Sequence, residues 1–338
     1  MGCTGERIDL VADVEHKQIK RNQSIDAYRC LLMFGICALH AVTQGGHNAP
    51  WMANCLTWCV TGFAFLSGWF GIRFKYWKVV KLYAVSFYCA AIVFAFNFAF
   101  GMSSGARDVL NIATGQWYLN AYAVLMCFAP ILNEGCRALS EKFATDRMAA
   151  TKLATPLVLC AFGWSFATTL PVVKGYIPKP VGLASYSFLT LIGAYCAARI
   201  WRECEIRCGE LRIRNAHIVV FLLLSVVASA IGLNDYNSPF ALAIAFGTFY
   251  LAKNAKECRF AGRVCSWLGP SMFSVYLLHS SGRTWWALAK CEDFLLGLGM
   301  PIVAVWGVTA FAVFTVCVAF DIPRRLFVGL LTQRSKRV

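Results

Sequence analysis

The sequence predicts an all-α protein, a polytopic transmembrane helical bundle of ten spans with both termini on the cytoplasmic side. Three observations predict it. The 338 residues are 59% hydrophobic and 14% charged, with a mean hydropathy of +0.58, less charge than soluble chains carry. Apolar runs of about 18 residues or more recur from end to end. The Lys and Arg residues gather in alternate loops.

The spans fall at 25–44, 51–72, 78–100, 117–134, 153–171, 182–199, 216–233, 239–253, 266–282 and 301–320. On that division the N-terminal segment, the even-numbered loops, the C-terminal tail and the span ends that meet them hold 27 of the 32 Lys and Arg residues. The odd-numbered loops hold only Arg107, Lys174, Lys179, Arg283 and Lys290. Cytoplasmic loops carry the positive excess, so the split orients the chain N-in and C-in, and one missed span would scramble it. The net charge of +15 then reflects positive-inside loops and calls for no nucleic-acid partner. Residues 1–23 read as a cytoplasmic segment, 24–322 as one transmembrane domain and 323–338 as a basic cytoplasmic tail. The polar N-terminus predicts no cleavable leader, with the first span as targeting signal. Sixteen cysteines lie mostly inside apolar runs or cytoplasmic loops. They form no CxxC pair and no Cys/His cluster with ligand spacing, so they read as free thiols used as small apolar residues, and no metal site is expected.

The first span, SIDAYRCLLMFGICALHAVTQ, carries the oddest residues. Arg29 and His40 are eleven positions apart, roughly 20° around a helix and ~16 Å along it. They share a face, with Arg29 at the cytoplasmic edge and His40 toward the outer half. Of the five histidines, His40 and His279 are the two deep in spans, and intramembrane ionisable groups are costly and usually functional. His40 reads either as a general base for a hydroxyl proton or as a core histidine bonded across helices. Arg29, Arg73, Lys75, Lys78 and Lys81 read either as positive-inside anchors or as a clamp for phosphates. Asp26, one turn before Arg29, either orients it or marks the helix start.

On the outer side, Trp117, Tyr118 and Tyr122 fit an interfacial aromatic belt. With Asn120 and the turn NDYNSP (Asn234, Tyr236, Asn237), they equally suit sugar binding. Ser67 and Gly68 permit close helix packing. GxSxG, P-loop, HExxH and paired intramembrane carboxylates do not occur, which argues against those hydrolase, nucleotide and zinc chemistries.

Four stretches, IDAYRCLLMFGICALH, FLSGWFGIRF, WYLNAYAVLMCFAPILN and SMFSVYLLHS, resemble the acyltransferase-3 family of integral-membrane acyltransferases in order, spacing and topology. YNSPF followed by WLGPSMFSVYLLH resembles its exopolysaccharide-modifying subgroup. The resemblance implies O-acetyltransferase activity, moving an acyl group, usually acetyl, from cytoplasmic acyl-CoA to a sugar hydroxyl of a glycan or lipid-linked saccharide outside a bacterial plasma membrane. By motif match the arginine carries over to Arg29 and the histidines to His40 and His279. SGW stands here for the family's SGF, and lysines for the arginines that follow it. Catalysis is thus expected from His40 and His279, with His279 holding an oxyanion or orienting the acceptor. The CoA phosphates are expected on Arg29, Arg73, Lys75 and Lys78, and the acceptor on Trp117, Tyr118, Tyr236 and Asn237. Acyl-CoA serves as donor substrate, with no permanently bound cofactor and a stand-alone membrane enzyme expected. The rival is a transporter or flippase for a lipid-linked glycan, which predicts broken helices and paired repeats.

Overall fold

The computed structural model describes residues 22–335 apart from 103, 104, 106, 150, 154, 157, 158, 160–187, 211, 234, 235, 237, 257, 258, 282 and 283. The described residues are helical almost throughout. In order the helices are α1 (Gln23–Gln44), α2 (Pro50–Leu56), α3 (Trp58–Phe70), α4 (Tyr76–Ala99), α5 (Arg107–Thr114), α6 (Trp117–Thr145), α7 (Phe188–Cys208), α8 (Asn215–Ala230), α9 (Pro239–Asn254), α10 (Arg259–Leu268), α11 (Met272–His279), α12 (Trp285–Gly297) and α13 (Ile302–Ser335).

The hub of the bundle is α1. Its first turn is capped by Asn22, whose side chain accepts from the Ser24 and Ile25 N–H groups at 2.9 and 3.3 Å, and Asp26 adds a negative charge where the helix dipole favours one. The helix stops at Gly45 and Gly46, the latter at φ +103°, a conformation that suits glycine. Among the described residues three helices are long and apolar enough to cross a membrane: α1, α4 and α13 through Leu330. They differ in surroundings. In α1, 67% of the apolar stretch is buried, against 22% in α4 and 33% in α13. The last two, with α8, turn Phe87, Phe98, Leu223, Leu224, Phe311 and Val316 outward, an apolar surface suited to lipid. By contrast α1 packs against α2, α3, α9, α10, α11, α12 and α13.

Several boundaries depart from the sequence reading. The 51–72 span is α2 and α3, interrupted at Thr57. The 117–134 span runs on as α6 to Thr145, because the polar residues beyond 134 find partners. Arg137 pairs with Glu134 one turn back, and Arg207 of α7 reaches Glu141 at 2.9 Å. The 266–282 span is broken. Gly269–Ser271 forms a 3-10 turn between α10 and α11, where Pro270 supplies no N–H for a continuous helix. The 301–320 span extends to Ser335 through Pro323. In the 283–300 loop stands α12, whose apolar residues recur at helical spacing. The 153–171 span, the first part of the 182–199 span and Asn237 fall largely or wholly outside the described residues.

A close approach fixes α3 against α7. A Cβ placed on Gly68 would lie 2.0 Å from the Tyr195 carbonyl oxygen, so this contact exists only for glycine. The fully buried Tyr195 then reaches beyond the end of α3. Its hydroxyl accepts from the Ile72 N–H at 2.9 Å and donates to Asn133 Oδ1 at 2.7 Å. Asn133 Nδ2 closes the ring by donating to the Ile72 carbonyl at 3.0 Å. This latch ties α3, α6 and α7 together immediately before Arg73.

Candidate functional site

At the N-terminal end of α1, the carboxylate of Asp26 is buried between two donors. Arg29 Nη1 approaches Oδ1 at 3.1 Å, and Ser266 Oγ of α10 donates to Oδ2 at 2.7 Å. The guanidinium of Arg29 also stands over the Phe70 ring, 5.3 Å from its centroid, a cation–π contact. Asp26 therefore does orient Arg29, as its i,i+3 spacing allows.

From Arg29 a chamber of about 450 Å³ runs inward. Lys78 and Lys81 join Arg29 on its lining, followed by Met33, Ile36, Phe63, Val85 and Met272, and its far end is formed by His40, Trp117, Tyr236 and Tyr276. Arg73 and Lys75 are exposed beside α4 and are not among these lining residues. Tyr118 lines this chamber as well.

A second chamber, of about 770 Å³, starts from the same four residues and extends past the C-terminal end of α1. Thr43, Gln44, Asn111, Gln116, Ser280 and Trp285 furnish its walls with hydroxyls, amides and an indole. Ser280 Oγ donates to Gln116 Oε1 at 2.8 Å, and Thr61 Oγ1 donates to the Tyr236 carbonyl at 3.2 Å, which ties Tyr236 to α3. The Trp117 and Tyr236 rings pack 5.5 Å apart.

His40 and His279, on α1 and α11, lie together at the junction with ring centroids 4.9 Å apart. His279 is buried, and its Nδ1 faces the Val275 carbonyl oxygen at 2.5 Å. A carbonyl only accepts, so Nδ1 carries the proton, and in the neutral ring Nε2 keeps its lone pair. That Nε2 and the Nδ1 of His40 are buried and find no hydrogen-bond partner among the described residues. His40 itself is partly exposed. The tautomer leaves His279 without a free N–H, so it is better suited to accept from a neighbour than to donate to an oxyanion.

Residues 22–322 match the family model described as an acyltransferase domain. The chain belongs to the acyltransferase-3 family. No curated protein and no solved structure matches it. With its apolar helices, membership makes the protein a membrane acyltransferase.

In this acyltransferase several residues of the site lie outside the sequence reading. Tyr276 lies three positions before His279, a spacing that puts both on one helical face. Gln116, Ser280 and Trp285 meet only through tertiary packing.

Glu292 of α12 lines neither chamber but is also outside the sequence reading. It is fully buried at the C-terminal end of α1, its carboxylate seated so close to Gly45 that a Cβ there would fall 1.9 Å from Oε1. Both oxygens lack a hydrogen-bond partner among the described residues. Burial pushes its carboxyl from the ordinary 4.5 up to about 7, against the opposing influence of nearby His47. The folded protein therefore keeps a proton that the unfolded chain releases. The contribution of Glu292 to stability is full below about pH 4.5 and is lost as pH rises toward about 7. Thermal unfolding in detergent between pH 5 and 8 should show that decline, and Glu292→Gln should flatten it.

Proposed function

We propose that the protein is an O-acetyltransferase. It moves an acyl group, most simply acetyl, from acyl-CoA held at the Arg29 end of α1 to a sugar hydroxyl entering from the other end. The observation that carries this reading is the meeting of two chambers of opposite character at His40. The chamber with Arg29, Lys78 and Lys81 suits an anionic donor with a long, partly apolar arm. The chamber with amides, hydroxyls and aromatic faces suits a polyol of the kind found in exopolysaccharide. On this reading the chain sits in a bacterial inner membrane with ten spans, N-in and C-in, and the excess of Lys and Arg in alternate loops supports a donor chamber facing the cytoplasm.

In this mechanism His279 Nε2 accepts from the Nδ1–H of His40. That leaves Nε2 of His40 unprotonated, poised to take the acceptor's hydroxyl proton. The sugar oxygen attacks the thioester carbonyl, a C–O bond forms and a tetrahedral oxyanion results. Its collapse breaks the C–S bond, and the proton on His40 passes to the departing thiolate. The apolar walls below the junction keep bulk water from the thioester. The flippase reading draws no support from the family match.

The test is transfer of label from radiolabelled acetyl-CoA in membranes expressing the protein. Label entering a glycan fraction supports the reading. Failure of every acyl-CoA from acetyl to longer chains, together with no CoA binding, overturns it. Arg29→Ala should raise KM for acetyl-CoA about tenfold or more, the effect of losing one charge-assisted contact, with kcat nearly unchanged. Steady-state kinetics in detergent check it.

A further inference from the structure

The reaction above needs a hydrogen-bond donor for the oxyanion, and the tautomer of His279 does not provide one. Four residues line both chambers: His40, Trp117, Tyr236 and Tyr276. Of the four, Tyr276 is the one whose hydroxyl is buried and makes no hydrogen bond of normal length among the described residues; the neighbouring Ser280 hydroxyl donates to Gln116 instead. Buried polar atoms are almost always paired, and an exception asks for a reason. An unpaired donor at the point where two substrates meet has one: it is held ready for charge that develops only in the transition state.

The ring is also held in place. Tyr276 is 7% exposed. It packs edge-on to Tyr118 with centroids 5.5 Å apart, and perpendicular to His279 with centroids 6.4 Å apart. Its position on α11, one turn before His279, mounts donor and histidine on a single rigid helix. Trp285 Nε1 is likewise buried and unpaired, but Trp285 lines only the outer chamber and does not face the donor's side of the junction.

We infer that Tyr276 is a catalytic residue whose hydroxyl donates to the oxyanion of the tetrahedral intermediate formed between thioester and acceptor. The inference rests on the acyltransferase reading. The O–H bond is not broken: the proton stays on the phenol, the hydrogen bond strengthens as the carbonyl oxygen gains charge, and it relaxes when the C–S bond breaks.

The experiment compares wild type and Tyr276→Phe with radiolabelled acetyl-CoA as donor and the native membrane glycan fraction as acceptor. Tyr276→Phe removes one oxygen and keeps the ring, so the midpoint of thermal unfolding should stay within a few degrees of wild type and KM for acetyl-CoA within twofold. The rate constant kcat should fall about 10²–10³-fold, as for other oxyanion donors. A kcat within about threefold of wild type, or a loss confined to KM, overturns the inference. A second variant covers the case of a destabilised phenylalanine protein: a fluorinated tyrosine at position 276 keeps the shape and makes the hydroxyl a stronger hydrogen-bond donor. Its kcat should rise above wild type while KM for acetyl-CoA stays unchanged, because the stronger donor acts only on the oxyanion. A kcat equal to wild type overturns the inference. If wild type itself transfers nothing from any acyl-CoA, the acyltransferase reading has failed and takes this role with it. An active wild type with an unaffected Tyr276→Phe variant removes the role of Tyr276 alone.

Discussion

Replacing His40 by alanine is expected to lower acyl transfer about a thousandfold or more, while the protein still folds and enters the membrane. Both halves follow from position. General-base catalysis contributes on the order of 10²–10⁴ in rate, and His40 is the partly exposed imidazole common to both chambers. A side chain that faces a cavity has fewer packing contacts to lose than one in a closed core, so truncation should leave the bundle standing. Labelled acetyl transfer in membranes, set beside the amount and thermal unfolding of the purified variant, checks both halves. An active, normally folded His40→Ala protein would remove the base from the mechanism.

Gly68→Ala should carry the largest cost in stability. The Cβ it adds would sit 2.0 Å from the carbonyl oxygen and 2.8 Å from the Cα of Tyr195. Those are backbone atoms, with no rotamer to turn aside, so α3 and α7 must separate. Overpacking of this kind costs roughly 3 kcal/mol. The separation also pulls the Tyr195 hydroxyl away from the Ile72 N–H and Asn133, opening the latch that precedes the basic stretch. A clear drop in the thermal midpoint in detergent is expected. A variant that unfolds like wild type would show that the two helices do not approach at Gly68.

The sequence made the hub legible because α1 obeys one simple rule, helical periodicity, and because charges inside an apolar run are rare enough to stand out. Arg29, Asp26 and His40 could be put on one helix by counting. Gly68 was visible as a packing residue, though its partner Tyr195 was not, since α3 and α7 lie far apart in the chain. The same limit hid the closeness of His40 to His279: equal depth in two spans says nothing of which spans are neighbours. Charge counting grouped Arg73 and Lys75 with Lys78, yet only lysines on the inward side of α4 reach the chamber, and that choice is made by how α4 is rotated. The break at Pro270 was written in the residues but outweighed by the apolar run around it. Tyr276 passed unnoticed for a different reason: an unpaired hydroxyl is a property of surroundings, and tyrosine in an apolar helix is ordinary.

The two chambers share His40, Trp117, Tyr236 and Tyr276, and that junction has a consequence for the permeability of the membrane. Neither reactant has to travel the length of the protein. On the proposed reaction, the nucleotide end of the donor stays at one rim and the polymer at the other, and only a two-carbon fragment passes between them. Trp117, Tyr236 and Tyr276 then serve as a seal as much as a site. On that reaction the protein would deliver a chemical group across the bilayer vectorially, with the chemistry itself as the crossing step and no need of alternating gates to keep ions from following.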